Sequence, residues 1–278
     1  MKYLCIFTRS QRRAAMGTIY KHEMKENGKN LLIWFLCVGG MGFFCILLFS
    51  SMQESMEGMT ENFASMGAFS DAFGMSQLSI ATLTGFYATE VGTIHALGGA
   101  MFAAIISTNM LSKEEDGHTG EFLFSLPVSR TGAVTAKGCA VLTDILLFNI
   151  FCTVLYGAGI AVLGGEMPID KFLLYHIMQF LMQMEIAAIC YAVSSFMKRN
   201  RLGIGLGTVL LLYVLDLMAR IIPDLSGYKA VIPFSYANAA DILSGGKIDA
   251  LALAIGAAVF VVSAGVAHFV YEKKDLAA

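Results

Sequence analysis

The chain is 278 residues long, 56% of them hydrophobic and 14% charged, with a net charge of −2. A water-soluble domain carries about 25% charged residues, so this composition, with a mean hydropathy of +0.67, excludes a soluble globular protein and points to an integral membrane one. The near-neutral balance excludes the basic field that nucleic-acid binding requires.

Residues 1–30 form a polar arm. Met16, Ile19, Tyr20 and Met24 fall at helical spacing on one face, with Lys21, Lys25 and Lys29 on another. This pattern predicts a basic amphipathic helix lying on the inner leaflet. Translation can begin at Met1 or at Met16, and the first dozen residues are expected to be poorly ordered. No A-x-A-type site follows the first apolar run, so no cleavable signal peptide is expected.

A helix needs about 20 apolar residues to cross the hydrocarbon layer. Six stretches qualify within a membrane domain of residues 31–278: about 31–51, 88–111, 139–163, 172–197, 202–222 and 250–271. The predicted fold class is therefore all-α integral membrane. Fifteen of the nineteen Lys and Arg residues fall in the arm, the 112–138 loop, the "KRNR" turn and the tail. The positive-inside rule then puts both termini and the 112–138 loop in the cytoplasm of a multi-pass cell-membrane protein. On the other side, Met52, Met56, Met59, Phe63, Met66 and Phe73 keep a helical rhythm against Glu54, Glu57 and Glu61, which predicts an outer amphipathic helix. These methionines read as apolar filler rather than a copper site, since no His or Cys joins them. The last outer loop, bracketed by Pro223 and Pro233, is apolar enough to dip back toward the bilayer, where its backbone must be buried in protein or face water.

Cys5, Cys37, Cys45, Cys139, Cys152 and Cys190 show no C-x-x-C pair, so they read as small hydrophobes and no metal site is expected. Charges inside the spans are costly and need a reason. Glu185, with Gln179 and Gln183 in the preceding turns, is either a satisfied interior carboxyl or part of a translocation path. Asp144 raises the same question, and Asp216 with Arg220 has pairing distance on one helix face. Gly203 and Gly207 have the spacing that permits close helix contact. No H-E-x-x-H, G-x-S-x-G or phosphate-loop motif is present, so no catalytic residues are expected and the chain is not expected to hydrolyse ATP by itself.

The polar stretch "LSKEEDGHTGEFLFSLPVSR" (Leu111–Arg130) interrupts the apolar chain. Ser112 and Glu115 have capping-box spacing, and a second short helix can start near Thr119 and run to Pro127. Gly117 and Gly120 supply a kink, and Phe122 and Phe124 have no lipid to bury them at that depth, which asks for a protein partner.

This loop resembles that of type-2 ABC exporter permeases: an acidic pair, Gly, Thr-x-Glu, an aromatic-Leu step and Pro-Val-Ser-Arg. Glu114, Glu115, Gly117, Thr119, Glu121, Phe122, Leu123, Pro127, Val128, Ser129, Arg130 and Lys137 supply it. His118 departs from the pattern and is expected to lengthen the turn. "YKHEMKENGKNLLIW" and "YEKKDL" are also similar, so the likeness runs from about Tyr20 to Leu276. It implies the transmembrane subunit of an ATP-driven exporter, partnered by two ABC ATPase subunits and a second permease chain within membrane lipid. ATP and Mg would be bound by the ATPase, with no cofactor in this chain. The loop would be a coupling helix, with Glu114, Glu115, Thr119, Glu121, Phe122, Leu123, Phe124, Pro127 and Arg130 meeting the ATPase, and Glu185, Gln183 and Gln179 on a possible path. The competing classes are an ion-coupled secondary carrier and an intramembrane enzyme.

Overall fold

The computed structural model describes residues 9–274, apart from Met59, residues 61–64 and Leu126. Six helices among the described residues are long and apolar enough to cross a membrane. Each overlaps one of the six stretches read from hydropathy, and no strand occurs among those residues.

The first helix differs most from expectation. Helix α1 (Arg9–Trp34) passes through a π-helical turn (Phe35–Gly39) into α2 (Gly40–Glu57) without a break. At the widened turn the hydroxyl of Tyr156 donates to the Val38 carbonyl at 3.2 Å, which satisfies backbone where the ladder is disturbed. The continuous helical rod, Arg13–Glu57, has 45 residues. At about 1.5 Å per residue it is roughly twice as long as the hydrocarbon layer is thick, so a large part stands outside it. The arm's apolar stripe packs on protein: Ala15 and Ile19 are buried against Val128, Ala133 and Ala136, with Met16, Tyr20 and Leu123 at the margin. Of the outer amphipathic helix expected from Met52 to Phe73, Met59 and Phe63 lie outside the described residues. The described remainder is the end of α2 and a short helix α3 (Ala68–Phe73).

The second span is α4 (Leu83–Phe86), a π-helical turn (Tyr87–Val91) and α5 (Gly92–Thr108). It starts five residues earlier than hydropathy suggests because Thr82 caps it, its side chain accepting from the Gly85 amide at 3.1 Å. Two short helices follow, α6 (Lys113–Asp116) and α7 (Gly120–Ser125). The third span, α8 (Arg130–Leu163), begins nine residues before the apolar run. Ser129 accepts from the Gly132 amide at 3.0 Å, just after Pro127, so capping rather than hydropathy sets the start. The fourth and fifth spans are α9 (Ile169–Phe196) and α10 (Leu202–Ile221). A 3-10 turn (Pro223–Val231), α11 (Pro233–Tyr236) and α12 (Ala239–Leu243) lead to the last span, α13 (Ala250–Lys273). Asp249 caps α13, accepting from the Leu251 and Ala252 amides.

Helix α9 is the axis of the bundle, packed by α5, α8 and α13. Tyr175, Met182 and Ile186 on it are fully buried. The α11–α12 segment folds back onto α9, burying Phe234, Tyr236, Ala237 and Ala239, and Gln179 Nε2 donates to the Ala237 carbonyl at 2.7 Å. That bond meets the demand of irregular backbone inside an apolar bundle. Gly203 and Gly207 face open space, whereas the intervening Gly205 sits against Thr108. The expected close helix contact is thus made one step off the G-x-x-x-G face.

Candidate functional site

The α6–α7 loop is rooted in a cluster of buried charges. Lys137 of α8, fully buried, donates from Nζ to Glu23 Oε1 at 2.7 Å, to the Met110 carbonyl at 3.1 Å and to Glu114. Lys113 bonds the other Glu23 oxygen and Glu26. Glu115 pairs with Lys274 at 2.8 Å. Arg130 donates to the main-chain carbonyls of Glu272, at 3.1 Å, and Lys274. The loop is thereby tied to the first helix, the third span and the end of the last one. Each buried charge has an opposite partner, which is the condition under which such charges are tolerated. At Lys113, burial works against the charge, but Glu23 and Glu26 outweigh it and hold the ammonium above its ordinary range.

The acidic pair that reads as a surface motif therefore points inward: Glu114 and Glu115 are buried. The expected capping box is not formed. Ser112 makes no cap bond; its hydroxyl is 3.3 Å from Asn200 Oδ1 in the turn before α10, and Glu115 is held by Lys274 instead. Nor do the glycines make the kink. His118, at φ 52°, adopts the left-handed conformation that ends α6, while the Thr119 amide donates back to the Glu114 carbonyl at 2.8 Å.

From there the loop faces outward. Asp116, Gly117, His118 and Thr119 are exposed, and α7 starts on the Thr119 carbonyl, which accepts from the Leu123 amide at 3.1 Å. Leu123 and Val128 turn inward to the α1 contact, and Pro127 is half-buried. The α7 backbone carries Glu121, Phe122 and Phe124, whose side chains lie outside the described residues, so the expected aromatic patch does too.

The second group sits on α9, and its three members go to different places. Gln179 supports the α11–α12 segment. Gln183 accepts from Asn149 Nδ2 at 2.7 Å, Asn149 Oδ1 lies 3.2 Å from His95 Nε2, and His176 Nε2 lies 2.9 Å from the Tyr87 hydroxyl. Glu185 accepts from the Tyr236 hydroxyl at 2.9 Å. Gln183 thus belongs to a hydrogen-bonded row with Asn149 and His95, whose ring lies 4.9 Å from that of His176, and Glu185 to a different face; the structure does not bring them to one surface. Gly99 and Gly256 permit these placements, since a Cβ would stand 2.2 Å from Gln183 Nε2 and 2.6 Å from Glu185 Oε2.

Other interior charges also find partners, some of which no local spacing reveals. Asn27 Nδ2 donates to Asp144 Oδ2 at 2.8 Å. Asp216 and Arg220 pair at 2.9 Å as their spacing predicts, with Asp241 of α12 as a third member at 3.0 Å. Glu23, Lys113 and Lys274 carry the loop's root and were not legible as such. The signal that could have found them was register: Glu23 and Asn27 lie one turn apart, and Lys137 and Asp144 seven apart, each set on one helix face.

No curated protein matches the chain. A family model described as ABC-2 family transporter protein matches residues 17–276, which takes in all six spans, the α6–α7 loop and every residue of the buried charge cluster. The chain belongs to the ABC-2 family of transporter membrane proteins.

Proposed function

We propose that the chain is the permease subunit of an ATP-driven exporter in the cell membrane, with the α6–α7 loop and both termini cytoplasmic. Two ABC ATPase subunits would bind ATP and Mg and do the hydrolysis, and a second permease chain, identical or related, would complete the pathway. Carrying this reading is the way the loop is rooted: a segment with an exposed turn is locked by ion pairs to three different helices. A flexible loop would absorb a partner's motion, whereas this one transmits it to the bundle. Thr119, Glu121, Phe122, Leu123, Phe124 and Pro127 form the segment that meets the ATPase. Glu114, Glu115 and Arg130 act one step back, holding that segment at a fixed angle.

The test is capture of the ATPase by the detergent-solubilised chain, alongside hydrolysis with and without transport. Phe122→Ala with Phe124→Ala removes two aromatic anchors, each worth about 2 kcal/mol or more if central to an interface. Capture should fall by tenfold or more while membrane insertion is unchanged. Glu121→Lys should act the same way by reversing a charge at the contact. Full capture with normal hydrolysis in the double variant would rule out α7 as the docking element.

A further inference from the structure

Glu185 borders a cavity of about 240 Å³ between α9 and α13. Leu181, Leu253, Gly256, Phe260 and Tyr236 complete most of its wall. Leu253, Gly256 and Phe260 recur at helical spacing, so one face of α13 supplies that side. Gly256 is what lets the carboxylate reach this position. The cavity opens sideways past Ala257 and Val261, both exposed on the outer surface of the bundle. Phe260 also borders a second space of about 160 Å³ further along α13, near Tyr191 and His268.

The carboxylate is 3% exposed, and the Tyr236 hydroxyl is its one hydrogen-bond donor among the described residues. No basic side chain pairs with it among those residues. Most other buried carboxylates differ: Glu23, Glu114 and Glu115 are paired with lysines, and Asp216 with an arginine, while Asp144, whose donor is Asn27, shares the lack of a basic partner. A buried carboxylate without a counter-ion, at the wall of an apolar space rimmed by aromatic rings, has the composition of a site for an organic cation.

We propose that this cavity binds a small hydrophobic ammonium, with Glu185 as counter-ion, the rings of Tyr236 and Phe260 against its charged head, and its apolar body in the side opening. A ligand with both parts partitions into the bilayer and enters sideways. The proposal rests on the transporter reading, and the site is the cargo site of that transporter.

Binding of benzyltrimethylammonium and of its neutral isostere neopentylbenzene to the purified full-length chain, by titration calorimetry without ATPase, tests it. The parent chain should prefer the ammonium by about tenfold or more, in the range expected for a desolvated charge pair. Glu185→Gln, which keeps the size and the Tyr236 contact, should lose that preference and hold the neutral probe within twofold. Gly256→Ala, whose Cβ pushes on the carboxylate, should weaken the ammonium selectively. Equal affinity of the parent for the two probes, or an unchanged preference in Glu185→Gln, would overturn the proposal, and the first outcome needs no variant to fold. Displacement by phosphatidylcholine but not phosphatidylglycerol vesicles would assign the ammonium to a lipid headgroup; persistence in both would assign it to a free amine. Because the ATPase is absent, failure here leaves the transporter reading standing, and failure of ATPase capture leaves the binding result intact.

Discussion

Lys137 has no solvent contact and touches two carboxylates from elements 114 and 23 residues away in sequence. Replacing it with methionine preserves the stem and removes the charge, leaving Glu23 and Glu114 facing each other in the interior. A broken buried pair costs about 3–5 kcal/mol, so Lys137→Met should lower the unfolding midpoint in detergent by many degrees; parent-like unfolding would mean the cluster adds nothing to stability. His118 is the reverse case, a side chain in backbone territory that favours glycine. His118→Gly relieves that strain at some entropic cost and should stabilise by about 0.5–1 kcal/mol, read as a small upward shift in the same melt. Lys113 gives the pH dependence. Its ammonium is held above the ordinary lysine value, so its contribution is complete below about pH 10 and fades as pH rises through the raised value. Hydrogen exchange in the 109–119 turn should therefore be insensitive to this residue at neutral pH and accelerate, beyond its chemical rate, only in strong alkali.

Between elements, the decisive contact is Glu115 with Lys274. Lys274→Ala removes the ion pair that joins the loop to the last span, together with the bond from its Nζ to the Met197 carbonyl just past α9. The loop should open locally more often, with amides of residues 111–119 exchanging several-fold faster while α9 stays protected; unchanged exchange would show that Lys113 and Lys137 suffice. The six spans were legible because crossing a bilayer demands about 20 consecutive apolar residues, a run that helices of a soluble core rarely sustain. The start of α8 was less so. Residues 130–138 mix Arg, Thr, Gly and Lys, so their helix is announced by Ser129 and Pro127 rather than by hydropathy. The arm's stripe of Met16, Ile19 and Tyr20 was visible as amphipathic, but periodicity says only that a face is apolar, and protein or lipid can cover it equally well. Glu114 and Glu115 show the same limit for charge: the sequence displays acids, and only the approach of α1 and α13 makes them interior. Asp216 with Arg220 was readable because both partners sit on one helix; Glu185 with Tyr236 joins segments 51 residues apart and left no local trace.

For the whole molecule, orientation is the first thing to fix. Single cysteines at Ser76 and Gly246 should react with an impermeant maleimide on intact cells, and those at Asp116 and Asn200 only after permeabilisation. Labelling of Asn200 from outside would invert the topology and remove the loop from the ATPase. The tie between Glu115 and Lys274 has a further consequence, in the order of synthesis. The loop leaves the ribosome more than a hundred residues before the lysine that fixes it, so an unfinished chain holds its α6–α7 segment by the earlier ion pairs alone. A chain truncated before α13 is therefore expected to insert its first five spans yet capture the ATPase weakly, whereas co-expression of the missing residues 247–278 as a separate fragment should restore capture. Equal capture by the truncated and full chains would sink the idea. On the proposed coupling role, the last span is what turns the loop into a firm handle for the ATPase.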